Sequence, residues 1–266
     1  MSRRHDAKRV ALETYAILEA EGYEAPSGRY VRIEPTPSIL YTPEDRPPHA
    51  SIGERRTRVE VRNETTIVGA RDLFDEHGDV VALNFASARK PGGGWLVGSI
   101  AQEESLARAS GLYTALVDSP YYEFHVAQRD AHYSDHMIYS PDVPVFRTDD
   151  GALLEEPWRS SFITSPAVNL GELGDANASR VPNVMRRRIR RILDVAAAHD
   201  HRHVVLGAFG CGVFRNDPDA VAGWFSDALD TTHVGVFAHV RFSVLDAANG
   251  ANIEAFETAF GTRIER

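Results

Sequence analysis

Glu103 and Glu104 stand side by side a few residues after the triplet Gly92-Gly93-Gly94. Carboxyl groups so placed can move protons or hold hydroxyls, and at a helix start they can equally be ordinary first-turn acids favoured by the helix dipole. Neighbouring helical side chains diverge by roughly a third of a turn, so the pair cannot clamp a sugar from opposite faces as paired-carboxylate glycosidases do. One must transfer the proton while the other binds or orients. The dipole and nearby amides lower a carboxyl pKa, whereas burial, the sister glutamate and an adjacent anion raise it; a working acid requires the second set to prevail.

The triplet lies in Pro91-Gly92-Gly93-Gly94-Trp95, at the carboxyl end of an expected strand, where glycine lets backbone approach a ligand and amides converge on an anion. A tight turn without a ligand needs the same residues. No Gly-Lys-Ser/Thr follows and the G-x-G-x-x-G spacing is absent, so neither a Walker loop nor a dinucleotide fingerprint is present. A second glycine-rich loop, Gly207-Ala-Phe-Gly210-Cys-Gly212-Val-Phe214-Arg-Asn-Asp217, also joins a strand to a helix start. In open α/β sheets such loops face each other where crossover direction changes, so both can grip one anion. Phe209 or Phe214 can wall in a sugar or simply fill the core.

Other reactive residue types fit bland roles as well as chemical ones. Cys211, the single cysteine, could be a nucleophile, but a thiol between two glycines with no base nearby in sequence reads as a small filler. His199, His201 and His203, or His132 and His136, invite a metal reading; the trio spans a helix-to-strand junction and the pair lacks a zincin glutamate, so no metal is expected. Arg186, Arg187, Arg188, Arg190 and Arg191 crowd one expected helix and read as a solvated face or as cations for a polyanion.

The positioning elements follow from periodicity. Val10, Ala11, Tyr15, Ile17 and Leu18 predict a helix over about residues 6–21, Gly28 to Ile33 reads extended, and Pro35 to Pro48 reads as an irregular loop. Val59 and Val61 predict a strand, and Ile67, Val68, Leu73 and Phe74 a helix closed by Gly78. The apolar run Asp79 to Phe85 fits a strand covered on both faces, and Leu106 to Leu116 one continuous helix after the first glycine loop. Met137 to Tyr139, Val143 to Phe146 and Ser161 to Thr164 predict strands, and Val181 to His199 a long helix. His203 to Ala208 predicts a strand, Asp217-Pro218 a helix start, Phe237 to Asp246 a strand and Ile253 to Phe260 a last helix. Two strand–loop–helix units imply an α/β fold, three layers around a mixed, largely parallel sheet. We expect one domain over residues 1–266, an extension of about 1–55 preceding a core of 56–266.

The 266 residues are 43% hydrophobic and 25% charged, ordinary for a globular chain. A formal charge of -9 makes the surface repel nucleic acid and anionic membrane, so an anion must be captured locally. One cysteine excludes an intramolecular disulfide and a multi-cysteine zinc site, and with no apolar segment of membrane length the expected location is the cytoplasm.

Gly92-Gly93-Gly94, a spacer of Trp95 to Ala101, then Gln102-Glu103-Glu104 resembles the signature of the bacterial-type poly(ADP-ribose) glycohydrolases, a branch of the macrodomain fold. Similarity extends over Arg9 to Tyr23, Asn84-Phe85-Ala86-Ser87, Ile138 to Pro141 with Val143 to Arg147, and Leu206 to Pro218. The resemblance implies a three-layer α/β/α macrodomain-like fold and a metal- and cofactor-independent enzyme that hydrolyses ribose–ribose O-glycosidic bonds, from chain ends, to release ADP-ribose. It implies that Glu104 is the acid/base and that Glu103 holds ribose hydroxyls. It further implies that Gln102, Gly92, Gly93 and Gly94 and the segment Gly210, Cys211, Gly212, Val213 and Phe214 line the ligand, and that Asn84 touches the terminal ribose. Tyr122, Phe124 and Phe242 are aromatic candidates for adenine. The implied partners are poly(ADP-ribose), ADP-ribose and an ADP-ribosylated protein or nucleic-acid acceptor, with no membrane partner and a monomeric state. An enzyme for mono-ADP-ribosyl groups and a non-catalytic ADP-ribose reader are the alternatives.

Overall fold

A computed structural model describes residues 3–48, 53, 56–173 and 175–261. The chain runs α1 (Arg3–Glu19), β1 (Gly22–Glu24), β2 (Tyr30–Arg32), β3 (Ile39–Tyr41), β4 (Arg58–Arg62), α2 (Thr66–His77), β5 (Val81–Phe85), α3 (Gln102–Ala109), α4 (Leu112–Leu116) and α5 (Pro120–Gln128). It continues as β6 (Met137–Arg147), β7 (Leu153–Ser165), α6 (Val181–Ala198), β8 (His203–Leu206), α7 (Pro218–Thr231), β9 (His239–Ser243) and α8 (Ala251–Phe260).

Seven strands form one sheet in the order β3-β6-β7-β5-β8-β9-β4. From β7 to β4 every pair is parallel, while β3 and β6 extend the β7 side antiparallel. β5 carries no solvent-facing alternation because both its faces are covered. Val81 and Leu83 pack with α6, α7 and α8, whereas Ala82 packs with α2 to α5 on the other side. Those two cores and the sheet between them make the three layers.

Several elements differ from the sequence reading. The Pro35 to Pro48 segment contributes β3, whose Ile39 to Tyr41 pair with Tyr139 to Met137 at the sheet edge. The two strands expected on either side of Pro141 are one, because a register shift between Ser140 and Val143 absorbs a residue that has no ladder donor. The single helix expected over Leu106 to Leu116 is broken at Ser110, whose hydroxyl donates to the Leu106 carbonyl (2.7 Å) and accepts from the Leu112 amide (3.2 Å). Helix α5 was not expected at all, although Ser119 caps it and Pro120 opens it. Helix α2 ends as predicted, with Gly78 in the left-handed conformation (φ 75°) donating its amide to the Phe74 carbonyl.

Helix α1 and the β1–β2 hairpin form a third core with Trp95 and Phe146. The N-terminal segment thereby braces the first glycine loop. Thr14 donates to the Arg108 carbonyl (2.7 Å) at the end of α3, and a Cβ on Gly98 would come within 2.4 Å of the Arg4 carbonyl. No helix among the described residues is long and apolar enough to cross a membrane.

Candidate active site

β5 and β8 are neighbours, but the chain leaves β5 toward β6 on one side and β8 toward β9 on the other. The crevice between their carboxyl ends is therefore where crossover direction changes, the place where α/β sheets bind ligands. A cavity of about 450 Å³ opens there. One wall is α3 with Gln102, Glu103 and Glu104, and the facing wall is Ala208 to Phe214.

Gln102 seats α3 on the end of β5. Its Oε1 accepts from the Phe85 amide (2.9 Å), and its Nε2 donates to the Leu83 carbonyl (2.8 Å) and to Thr66 Oγ1 (3.1 Å). With three protein partners, its amide acts by fixing the helix start. Glu103 follows at only 4% exposure, its Oε2 accepting from the Ser87 amide (2.7 Å). Glu104, half-buried, accepts at Oε1 from the Gly94 amide (2.9 Å).

The triplet of glycines serves these carboxylates directly. Gly92 and Gly93 have φ of 69° and 61°, and a Cβ on Gly93 would sit 2.5 Å from Glu104 Oε1 and 3.0 Å from Glu103 Oε2. The Gly93 amide donates to the Lys90 carbonyl (3.0 Å) and that of Gly94 to Glu104. The triplet thus forms a seat for the two glutamates, with Gly93 pressed against both carboxyls and Gly94 donating to one. Asn84 is fully buried, donates to Thr164 Oγ1 (3.1 Å), and its Oδ1 has no hydrogen-bond partner among the described residues. Its position on the sheet, one residue before the strand end, turns its side chain into the protein.

Burial pushes the Glu103 carboxyl well above the usual carboxylate range; the charge of Glu104 adds to this, and the Ser87 amide, Asn84 and Gly92 oppose it. The carboxyl that burial pushes upward is thus Glu103, whereas the sequence reading expects this of the acid. Its Oε1 is buried without a hydrogen-bond partner among the described residues.

Across the cavity, Gly210 has φ of 77°, and a Cβ there would meet Ala167 Cβ at 2.4 Å and Asn216 Nδ2 at 2.6 Å. Asn216 holds the loop closed by donating to the carbonyls of Val168 (2.8 Å) and Gly210 (3.0 Å). The amides of Gly212, Val213 and Phe214 donate to no group among the described residues, and Val213 is 81% exposed. Successive amides without protein partners on a turn are the kind of group that can hold an anion. Phe209 is buried against Phe85, with ring centroids 5.9 Å apart, and lines the cavity as well; Phe214 lines it while facing Tyr133. Cys211 does not line it, and burial pushes its thiol up to about 12, which excludes a thiolate nucleophile at neutral pH.

A family model described as microbial-type PARG, catalytic domain, where PARG is poly(ADP-ribose) glycohydrolase, matches residues 11–148. The PARG structure from Thermomonospora curvata is 48% identical over 96% of this chain and 100% of that one, with a TM-score of 0.91. This chain belongs to the microbial-type PARG family. It is accordingly a glycoside hydrolase acting on poly(ADP-ribose). The Thermomonospora curvata PARG bound to the inhibitor ADP-HPD is 46% identical over 96% of this chain and all of that one, with a TM-score of 0.88. The Deinococcus radiodurans PARG in complex with ADP-ribose is 41% identical over 86% of this chain and 95% of that one, with a TM-score of 0.77. No match is found among curated proteins. The family match covers the glycine triplet and Gln102-Glu103-Glu104 and begins within α1, while the segment Leu206 to Pro218, which also carried the resemblance, lies beyond it.

Some walls of this PARG cavity carry no local signal. Glu64, Thr65, Ser243, Leu245 and Asn252 line it from the ends of β4 and β9 and the start of α8. Glu64 is held by Arg241 (2.7 and 3.0 Å) and by Ser243 (2.9 Å), partners more than 170 residues away in sequence. Of the adenine candidates, Tyr122 and Phe242 are core residues, Phe124 is exposed on α5, and none lines the cavity.

The histidine and arginine clusters resolve into structural pairs. His132 meets Asp130 (2.9 Å) and His136 meets Ser134 (2.7 Å), so the two rings share no ligand point. His199 bonds Tyr41 (2.9 Å), His201 bonds Tyr139 (2.8 Å) and Asp79 (3.0 Å), and His203 stacks on His77. On α6, Arg188 is fully buried against Asp135 (3.1 Å) and the carbonyls of Pro166, His132 and Tyr133. Arg187 pairs with Asp135, Arg186 and Arg190 with Asp227, and Arg191 donates to the Thr42 and Asp45 carbonyls. The five cations are spent on tertiary contacts.

Proposed function

We propose that Glu104 is the acid/base of this glycohydrolase and that Glu103 orients the scissile ribose. The observation that carries the reading is that one loop seats both carboxyls at the cavity, opposite three unpaired amides. In this reading the diphosphate of an ADP-ribose unit sits on the amides of Gly212, Val213 and Phe214, across the cavity from Glu104. Glu104 then protonates the departing ribose oxygen while the phosphates steady the oxocarbenium-like carbon, and its carboxylate next activates water. Burial favours the neutral form of Glu103, and in that form its carboxyl offers both a donor and an acceptor to ribose hydroxyls. In this reading Gln102, Gly92, Gly93, Gly94 and Asn84 act beneath the ligand, as the support of the two glutamates.

The proposal includes release of single ADP-ribose units from chain ends, an ADP-ribosylated protein or nucleic-acid acceptor, a monomeric state and a cytoplasmic setting. It takes the whole chain as one catalytic unit, because β3 completes the sheet and α1 braces the glycine loop. Incubating labelled poly(ADP-ribose) with wild type, Glu104→Gln and Glu103→Gln tests it. The expected result is ADP-ribose release by wild type, loss of at least a hundredfold in kcat for Glu104→Gln with ADP-ribose binding retained, and weakened binding for Glu103→Gln. Wild-type turnover by Glu104→Gln overturns the assignment. Release from singly modified acceptors but not from polymer overturns the chain-end reading.

A further inference from the structure

The amino-terminal edge of the sheet, opposite the cavity, gathers side chains that the hydrolase chemistry does not use. His239 opens β9, His203 opens β8 and Arg58 opens β4 in matching register, and α2 ends on Glu76 and His77 beside them. His77 Nε2 lies 3.4 Å from His239 Nδ1 and 3.5 Å from Glu76 Oε1, and the three atoms fall within 4.8 Å of one another. Tetrahedral zinc with ligand bonds of about 2.0–2.2 Å has ligand-to-ligand edges of about 3.3–3.6 Å, so both measured separations already have that length. This is the one such group of donors among the described residues.

We propose that Glu76, His77 and His239 form a binding site for a divalent transition-metal ion, best matched by Zn²⁺, with solvent water in the remaining position. Two imidazoles and a carboxylate suit a borderline ion of this type rather than Mg²⁺ or Ca²⁺, which take oxygen ligands. Glu60 Oε2 lies 3.4 Å from His239 Nε2, which has no hydrogen-bond partner among the described residues, and its charge favours a proton on that nitrogen, leaving the Nδ1 lone pair toward His77. His203 stacks on the His77 ring with centroids 3.9 Å apart and fixes its plane. His239 is buried, whereas His77 is a quarter exposed and Glu76 about half exposed, which gives the ion a route from solvent. Arg58 is the competitor, lying 3.2 Å from Glu76 Oε1, and it retains Glu60 as a partner when the ion takes Glu76. The rival reading is a His77–His239 hydrogen bond and nothing more.

Titrating the tag-free, metal-stripped full chain with Zn²⁺ by calorimetry, and with Co²⁺ by visible absorption, separates the two. The expected result is one saturable equivalent, tetrahedral Co²⁺ bands, and a thermal midpoint raised by the ion. His77→Gln and Glu76→Gln, both at the solvent-facing end of α2, should each weaken binding at least tenfold with unchanged kcat, and His5→Gln on exposed α1 should leave it intact. Absence of a saturable equivalent, or equal affinity in wild type and His77→Gln, overturns the proposal. If His77→Gln unfolds, Glu76→Gln decides by the same criterion.

Discussion

Replacing Gly93 by alanine should separate the seat of the glutamates from the stability of the fold. Two costs arise. The left-handed φ of 61° is unfavourable for an L-residue by about 1–2 kcal/mol. The new Cβ would also meet Glu104 Oε1 at 2.5 Å, where ordinary contact begins at 3.4 Å, so the carboxylate must retreat by about 0.9 Å and strain its bond from the Gly94 amide. A displacement near 1 Å in a reacting group costs roughly a hundredfold in rate, equivalent to about 2.7 kcal/mol of barrier. Gly78→Ala is the control: φ is 75°, but nothing lies within 4 Å of the added Cβ, so it bears the backbone cost alone. Steady-state release of ADP-ribose and urea denaturation of both variants measure the two effects. We expect both proteins to lose about 1–2 kcal/mol of stability and only Gly93→Ala to lose kcat, by about a hundredfold. A kcat for Gly93→Ala within about threefold of wild type would refute the idea that the glycine triplet exists to seat the glutamates.

Three further outcomes follow from buried groups. Burial holds His125 at about 4, below its unfolded 6.5, so the unfolded chain takes up the proton first and stability falls as pH drops through that window. Between pH 7 and 5 this histidine removes about 2 kcal/mol, and in urea melts His125→Gln should show a pH-dependent loss smaller by that amount; an identical loss contradicts the assignment. Because its thiol sits at about 12, Cys211 should react with iodoacetamide orders of magnitude more slowly than free cysteine, and Cys211→Ser should keep its turnover; rapid alkylation with loss of activity would restore the thiol reading. Asp135→Ala strips the fully buried Arg188 of its counter-charge and should cost about 3–5 kcal/mol in denaturant melts; a loss under about 1 kcal/mol would mean that the carbonyls of Pro166, His132 and Tyr133 suffice.

Much of the site was legible because it is local. A buried apolar run, a glycine loop and a helix start are consecutive in sequence, and the Phe85 to Glu104 segment delivers Gln102, Glu103 and Glu104 to a strand end. The same holds for β8, Gly210 and the Asp217 cap of α7. Helix α5 had a readable Ser119-Pro120 start, and only the strand β3 lay in a segment whose prolines concealed it.

Residue types and spacing therefore determined the family, the three layers and the pair of carboxyls. Tertiary structure alone decided which carboxyl burial pushes upward, that the Gly94 amide holds Glu104, that Asn84 is buried, and that Glu64 and Leu245 wall the cavity. The reason is that backbone preference is set by near neighbours, whereas desolvation and hydrogen-bond partnership depend on whatever the fold packs alongside. In this chain Trp95 of the glycine loop is packed by α1, and Glu64 of the cavity wall is held by Arg241 of β9, both far away in sequence.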